Sequence, residues 1–304
     1  MSGYKVLVAL VMFCSSLVAE PYWVYFKDKG GAKNAADYYN PLPQKTRQRR
    51  AKVGITTGGS WDIPVYNQYL QRVERMGASL RATSKWLNSA SFELDRLDSS
   101  RIASLPFVEK VEPVRKVTIP LPEATPFYTQ PSDSFYGQSW EYLNRMGIIE
   151  MHRLGYTGEG VRITFLDTGC RLNHSAFDSA NIVATWDFVN GDEEVSNQPG
   201  DYYQQDKHGT YTSSVVAGYL PGELIGVAYQ AELLIAKTEI VDTEIVIEED
   251  YWVRGIEWAE SLGTDIVSSS LAYNAWYTRE DLDGQTAVTT RAANRAASLG
   301  VVVV

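Results

Sequence analysis

Residues 160–169, GVRITFLDTG, predict a buried strand that ends at Asp167, and residues 208–218, HGTYTSSVVAG, predict a short helix that begins at a histidine. Around them, strands and helices alternate, with helices predicted at 141–155, 248–263 and 286–300 and strands near 232–238, at 265–273 and at 301–304. This alternation predicts an α/β domain whose parallel sheet is covered by helices on both faces.

The first half of the chain predicts a smaller domain of the α+β class. Its elements are a strand at 22–26, a helix from Pro64 to Gly77, strands at 78–87 and 89–94, a short helix capped by Ser99 or Ser100, and a strand at 107–119. This β-α-β-β-α-β order is typical of a split βαβ sandwich. Residues 31–50 are polar and are predicted to form a loop.

Composition changes along the chain predict four segments. They are a signal peptide at 1–19, the small domain at 20–119, a Pro-rich linker at 120–137, and the α/β domain at 138–304. In the signal peptide, Lys5 precedes an apolar stretch that is too short for a stable membrane span. We expect cleavage near Ala19, a secreted, periplasmic or cell-surface protein, and no membrane contact afterwards. An uncut N-terminal anchor is the alternative.

Charge is divided unevenly between the two halves. Residues 1–120 contain 18 Lys and Arg and 10 Asp and Glu, whereas residues 121–304 contain 10 and 27. This asymmetry fits either nucleic-acid binding by the basic half or attraction between the halves. The basic residues are scattered, apart from one cluster at 47–50, and they lack aromatic platforms. Attraction between the halves is therefore favoured, and no nucleic-acid partner is expected.

Asp167 and His208 are the candidates for chemistry. A carboxylate at the carboxyl end of a parallel strand lies where such sheets place their sites. A helix start disfavours an imidazolium, but a neutral imidazole held by a carboxylate is a good general base. The alternatives are an aspartate that caps a turn and a solvated loop histidine.

Taken together, ITFLDTG and HGTYTSSVVAG resemble the Asp and His motifs of the subtilisin-like serine proteases, the subtilases, over about residues 136–304. The resemblance implies a secreted hydrolase that cleaves peptide bonds through an Asp-His-Ser triad. In that triad Asp167 would orient the imidazole of His208, and His208 would take a proton from the serine. A non-catalytic peptide-binding protein on the same fold is the alternative.

The resemblance also implies a substrate-binding strand made of Ser270, Leu271 and Ala272, although the family usually has glycine where this chain has Ala272. The family's nucleophilic serine and oxyanion asparagine have no counterpart in the 304 residues. The expectation is that both follow residue 304 and that the 304-residue chain is inactive by itself.

Residues 20–119 resemble the inhibitory propeptide of these enzymes, which makes the protein a zymogen. Its implied partners are a peptide or protein substrate and its own propeptide. No cofactor is required, but the family often carries structural calcium, for which 190–201 is the candidate; a solvated acidic loop is the alternative. His152 and His174 are predicted to be structural. Cys170 is expected to have no disulfide partner once the signal peptide is removed.

Overall fold

The computed structural model describes residues 19–31, 34–114, 133–241, 245, 247–273 and 276–304. The predicted signal peptide, except for Ala19, and the first part of the predicted linker, 120–132, lie outside these residues. Within the described ranges, no helix has both the length and the apolar character needed to cross a bilayer.

The N-terminal domain has the predicted order of elements, with two additional helices after the first strand. The elements are β1 (Glu20–Phe26), α1 (Ala36–Tyr39), α2 (Gln44–Lys52), α3 (Asn67–Glu74), β2 (Ser79–Ser84), β3 (Ser89–Leu94), α4 (Arg96–Ala103) and β4 (Val108–Pro113). The strands form an antiparallel sheet in the order β2-β3-β1-β4. This confirms the split βαβ sandwich.

Two details of the N-terminal prediction are wrong. The polar stretch 31–50 was predicted to be a loop, but it contains α1 and most of α2. Helix α4 begins earlier than predicted, because Asp95 caps it by accepting hydrogen bonds from the backbone N–H groups of Leu97 and Asp98 at 2.8 and 2.9 Å. A carboxylate satisfies the free N–H groups of a helix start and interacts favourably with its dipole.

The C-terminal domain is built on a parallel sheet. Its elements are α5 (Trp140–Arg145), α6 (Ile148–Arg153), β5 (Arg162–Asp167), β6 (Asn181–Asp187), α7 (Lys207–Ala217), β7 (Tyr219–Leu220), β8 (Leu224–Ile225), β9 (Glu232–Lys237), α8 (Ile247–Ser261), β10 (Ile266–Ser269), α9 (Val288–Ser298) and β11 (Val302–Val303). Within the described part of this domain, five strands pair in parallel in the order β11-β10-β5-β9-β6. The α/β prediction is confirmed, with the small antiparallel β7–β8 hairpin as an addition.

Alternation along β5 explains how both faces of this sheet become covered. Phe165 and its neighbours on one face pack with Ala217 of α7, whereas Leu166 on the other face packs with Val253 of α8 and Ala292 of α9. Successive residues of a strand point to opposite faces, so a strand covered on both sides reads as a continuous apolar run. The helix predicted at 141–155 is two helices, because Gly147 between them has a φ of +74°.

The sheet of the N-terminal domain packs against α8 and α9. Trp23 and Tyr25 of β1 belong to the same apolar cluster as Trp252 and Ile256 of α8. Helix α8 therefore lies between two sheets, with the parallel sheet on one side and the antiparallel sheet on the other. This position explains why most of the residues of α8 are buried.

A row of three carboxylates on α8 faces the N-terminal domain: Asp250, Glu257 and Glu260. Asp250 lies 3.0 Å from the guanidinium of Arg81, and Glu257 accepts hydrogen bonds from Ser84 Oγ at 2.5 Å and the backbone N–H of Trp86 at 3.1 Å.

Glu260 receives the side chains of Arg49 and Arg50 from α2. Arg50 contacts Glu260 at 2.9 Å and Asp62 at 2.8 Å, and both of its ion-pair partners are almost completely buried. The attraction between a basic first half and an acidic second half therefore acts through buried pairs at the surface where the two domains meet.

Candidate active site

The site is centred on Asp167, at the carboxyl end of β5. Its flanking strands are β9 and β10, so Asp167 lies in the middle of the sheet, and the residue is 2% exposed. Three donors satisfy its carboxylate. Oδ1 accepts the backbone N–H of Thr168 and Nδ1–H of His208, both at 2.7 Å, and Oδ2 accepts the hydroxyl of Thr212 at 2.9 Å.

His208 is the second residue of α7, and its side chain is 45% exposed. Because the carboxylate of Asp167 can only accept, the Nδ1 atom that faces it carries the proton, and Nε2 of the neutral ring has a free lone pair. The hydrogen bond to Asp167 raises the pKa of His208 above its usual value, and partial burial opposes this rise. Among the described residues, Nε2 has no hydrogen-bond partner. The imidazole is thus oriented at one nitrogen and open to a reactant at the other.

Two glycines allow α7 to approach Asp167 closely. A Cβ atom on Gly209 would lie 1.9 Å from the carbonyl oxygen of Gly169, and the N–H of Gly209 donates to Thr168 Oγ1 at 3.0 Å. Gly169 has a φ of +104°, a conformation that favours glycine, and a Cβ atom there would lie 2.2 Å from the carbonyl oxygen of Val195. Close backbone contact therefore requires glycine at both positions.

The serines of α7 serve the helix itself. Ser213 is buried and donates to the carbonyl of Gly209 at 2.5 Å, and Ser214 donates to the carbonyl of Tyr211 at 2.9 Å. Neither has a hydrogen bond to His208 among the described contacts. Neither hydroxyl is therefore placed to give its proton to His208.

Ser270, Leu271 and Ala272 follow the carboxyl end of β10, which pairs directly with β5. They share the sheet edge with Asp167 but lie outside the strand, since β10 ends at Ser269 and not at residue 273 as predicted. Ser270 and Ala272 are exposed, and Leu271 packs against the apolar cluster of α8. Their role in substrate binding stays a prediction.

The other two histidines are held by the protein framework. His152 is buried, with Nε2 at 3.0 Å from the carbonyl oxygen of Val227 and Nδ1 at 3.3 Å from the hydroxyl of Tyr136. His174 accepts the N–H of Ala176 at 3.2 Å and so caps a 3₁₀ turn. Both contacts fit the structural roles predicted for them.

The acidic segment 190–201 is anchored by a lysine that the sequence analysis did not single out. Lys237, at the end of β9, is 1% exposed and lies 2.8 Å from Asp187 and 2.6 Å from Asp201. Among the described residues, no three or more His, Cys, Asp or Glu side chains form a group that could hold a metal ion. Structural calcium therefore stays a prediction without a located site.

Thr212 was also missed, although the sequence carries a signal for it. Residues four apart on a helix share a face, so Thr212 follows His208 by one turn. A hydroxyl at that spacing is placed to reach the carboxylate that holds the imidazole.

Comparison with known proteins identifies both domains. Residues 158–304 match the model of the subtilase family, and residues 21–126 match the model of the peptidase S8 propeptide domain of Bacteroidota. Subtilisin E of Bacillus subtilis is 26% identical over 170 residues, which are 55% of this chain and 39% of that protein. Subtilisin BL of Lederbergia lenta is 31% identical over 163 residues, 53% of this chain and 52% of that protein. An intracellular serine protease of Paenibacillus polymyxa is 31% identical over 115 residues, 38% of this chain and 33% of that protein.

Solved structures show the same fold at low identity. Fervidolysin of Fervidobacterium pennivorans, described as a keratinolytic enzyme related to subtilisin, superposes with a TM-score of 0.56 at 15% identity, covering 94% of this chain and 39% of that one. The epidermin leader peptide processing serine protease of Staphylococcus aureus gives 0.57 at 14% identity, with 94% and 59% covered. The three sequence relatives named above are covered over 33% to 52% of their own length by this chain.

Proposed function

The chain belongs to the subtilase family, and from this premise we propose that the complete protein is a serine endopeptidase in which Asp167 and His208 are two members of the triad. The nucleophilic serine and the oxyanion asparagine would come from outside the 304 residues. One observation carries the proposal: the buried carboxylate of Asp167 lies 2.7 Å from Nδ1 of a half-exposed imidazole.

The geometry suits general acid–base catalysis. The neutral ring of His208 would take the proton of the serine hydroxyl at Nε2 as that oxygen attacks the peptide carbonyl. Asp167 would stabilise the imidazolium that results, and Nε2–H would then be donated to the leaving amine. Because Asp167 raises the pKa of His208, turnover should fall as the pH drops through a value above the ordinary histidine pKa.

The N-terminal domain would act as an intramolecular inhibitor. Its match to a peptidase propeptide supports this role, as does its extensive contact with α8 and α9. A predicted signal peptide at 1–19 would place the enzyme outside the cytoplasm. The substrates would be peptides or proteins.

The test is turnover of a peptide substrate by the full-length protein after removal of the N-terminal domain. We expect His208→Ala and Asp167→Asn to lower kcat by about 10⁴-fold or more. Ser214→Ala is the matched control, since the hydroxyl of Ser214 donates to the backbone carbonyl of Tyr211 in the same helix. Undiminished turnover by His208→Ala would exclude the proposed mechanism. The 304-residue chain alone should show no turnover.

A peptide-binding protein without catalysis is the less favoured function. Binding alone would not need a buried carboxylate hydrogen-bonded to an imidazole whose second nitrogen is open.

A further inference from the structure

The hydroxyl of Thr212 contacts the buried carboxylate of the site. Its Oγ1 atom lies 2.9 Å from Oδ2 of Asp167 and 3.2 Å from the carbonyl oxygen of Gly209. Both neighbours can only accept, and a threonine hydroxyl carries one proton. The shorter contact to a charged acceptor is the stronger one, so the proton belongs to the bond with Asp167.

This hydrogen bond is the only one that the described residues supply to Oδ2 of Asp167. The other two donors, the N–H of Thr168 and Nδ1–H of His208, both go to Oδ1. Without the hydroxyl, one oxygen of a carboxylate that is 2% exposed would have no donor. A buried charged oxygen without a donor is unfavourable, and the carboxylate would be held through Oδ1 alone.

The donor also changes how strongly Asp167 acts on His208. The positive end of the O–H dipole offsets part of the carboxylate charge that faces the imidazole. Asp167 on β5 is the charged group that acts on the ring. The charged residues that precede His208 in the chain have other partners: the ammonium of Lys207 lies 5.8 Å from the ring centre of Tyr211, and Asp206, the N-cap of α7, is paired with Arg171 at 3.0 Å.

We propose that Thr212 is a positioning residue of the site: its hydroxyl fixes the carboxylate of Asp167 in the orientation that receives Nδ1–H of His208 and limits the basicity that the carboxylate gives to the imidazole. The proposal rests on the proposed function in one respect, the use of this pair in peptide hydrolysis. The contact itself can be tested without catalysis.

The direct test is an NMR titration of the His208 ring in the 304-residue chain. The chain has three histidines, so the signal is assigned by loss in His208→Gln. Thr212→Val keeps the branched shape and removes the hydroxyl, and we expect the pKa of His208 to rise by roughly half a unit or more. Thr212→Ser keeps a hydroxyl and should restore the original value. Ser214→Ala removes a hydroxyl that does not reach Asp167, and it should change nothing.

Two results would overturn the proposal. One is an unchanged His208 titration in a Thr212→Val protein that unfolds at the same urea concentration as the original chain. The other is a Thr212→Ser protein that behaves like Thr212→Val, since loss of packing alone would produce that pattern.

In the full-length enzyme, Thr212→Val should lower kcat/KM by about 10-fold or more and move the acid limb of the pH profile upward, with Thr212→Ser close to the original. A catalytically competent His208→Ala protein would refute the proposed function and leave the NMR result standing. An active original enzyme whose Thr212→Val variant keeps its pH profile would refute the role of Thr212 alone.

Discussion

Replacing Glu260 by glutamine should weaken the contact between the two domains. Glu260 is fully buried in α8 and accepts the guanidinium groups of Arg49 and Arg50 from the N-terminal domain. The amide of Glu260→Gln is similar in size to the carboxylate but carries no charge. Two arginines would then remain in a buried place with less compensation than before.

The size of the effect follows from what those arginines retain. Removing one partner of a buried ion pair costs about 3–5 kcal/mol. Arg50 would keep Asp62 at 2.8 Å, and Arg49 would keep the carbonyl oxygen of Thr264 at 2.6 Å. We therefore expect the low end of the range, about 3 kcal/mol.

Urea unfolding of the 304-residue chain, followed by tryptophan fluorescence, measures this loss. With a slope of about 3 kcal/mol per molar urea, a loss of that size moves the midpoint down by about 1 M. Glu141→Gln is the control, because Glu141 pairs with Arg145 on the surface and such pairs contribute little. If Glu260→Gln moves the midpoint no further than Glu141→Gln does, the guanidinium groups are solvated by water in the variant, and the buried ion pairs do not stabilise the chain as argued.

Two further predictions concern the domain contact and the site. Burial raises the pKa of Asp250 to about 6 against the opposing charge of Arg81, so the docked form holds a proton that an exposed carboxylate would release. The stability that this group contributes is complete below the ordinary aspartate pKa and is lost as the pH rises to about 6. Between pH 4 and pH 7 the urea midpoint of Asp250→Asn should therefore fall less steeply with pH than that of the original chain. An equal dependence of the two midpoints on pH would contradict this. Gly209→Ala should destabilise the chain by about 1–3 kcal/mol and disturb the His208 NMR signal, because its Cβ atom would meet the carbonyl of Gly169. Gly31→Ala, where the nearest atom to the new Cβ is 3.9 Å away, is the control, and equal effects of the two changes would refute the close approach.

The parallel sheet and the Asp167–His208 pair were predictable because local signals carry them. A buried strand reads as an apolar run, and its end marks the sheet edge where side chains from different parts of the chain meet. The family resemblance then supplied the roles. In the structure the two side chains share a hydrogen bond of 2.7 Å, and their catalytic roles stay a proposal.

Other features depend on partners distant in the sequence. The sequence of helix α2 is polar and was predicted to form a loop, because the buried partner of its arginines, Glu260, lies about 210 residues away in the sequence. Strand β6 was missed because it lies at the edge of the sheet, where half-exposed residues replace the apolar run. Lys237 was overlooked because the two carboxylates that contact its ammonium group, those of Asp187 and Asp201, are distant from it in the sequence.

The row of carboxylates on α8 has a kinetic consequence. Asp250, Glu257 and Glu260 are spaced by seven and three residues, so they lie on one stripe of the helix. If the N-terminal domain is released as proposed, that stripe becomes an exposed row of negative charges, which would attract the released, Lys- and Arg-rich domain back. Added electrolyte slows such recapture, whereas the enclosed pairs of the assembled state are hardly screened. The rate at which the N-terminal domain rebinds should therefore fall with ionic strength, whereas its rate of dissociation should change little.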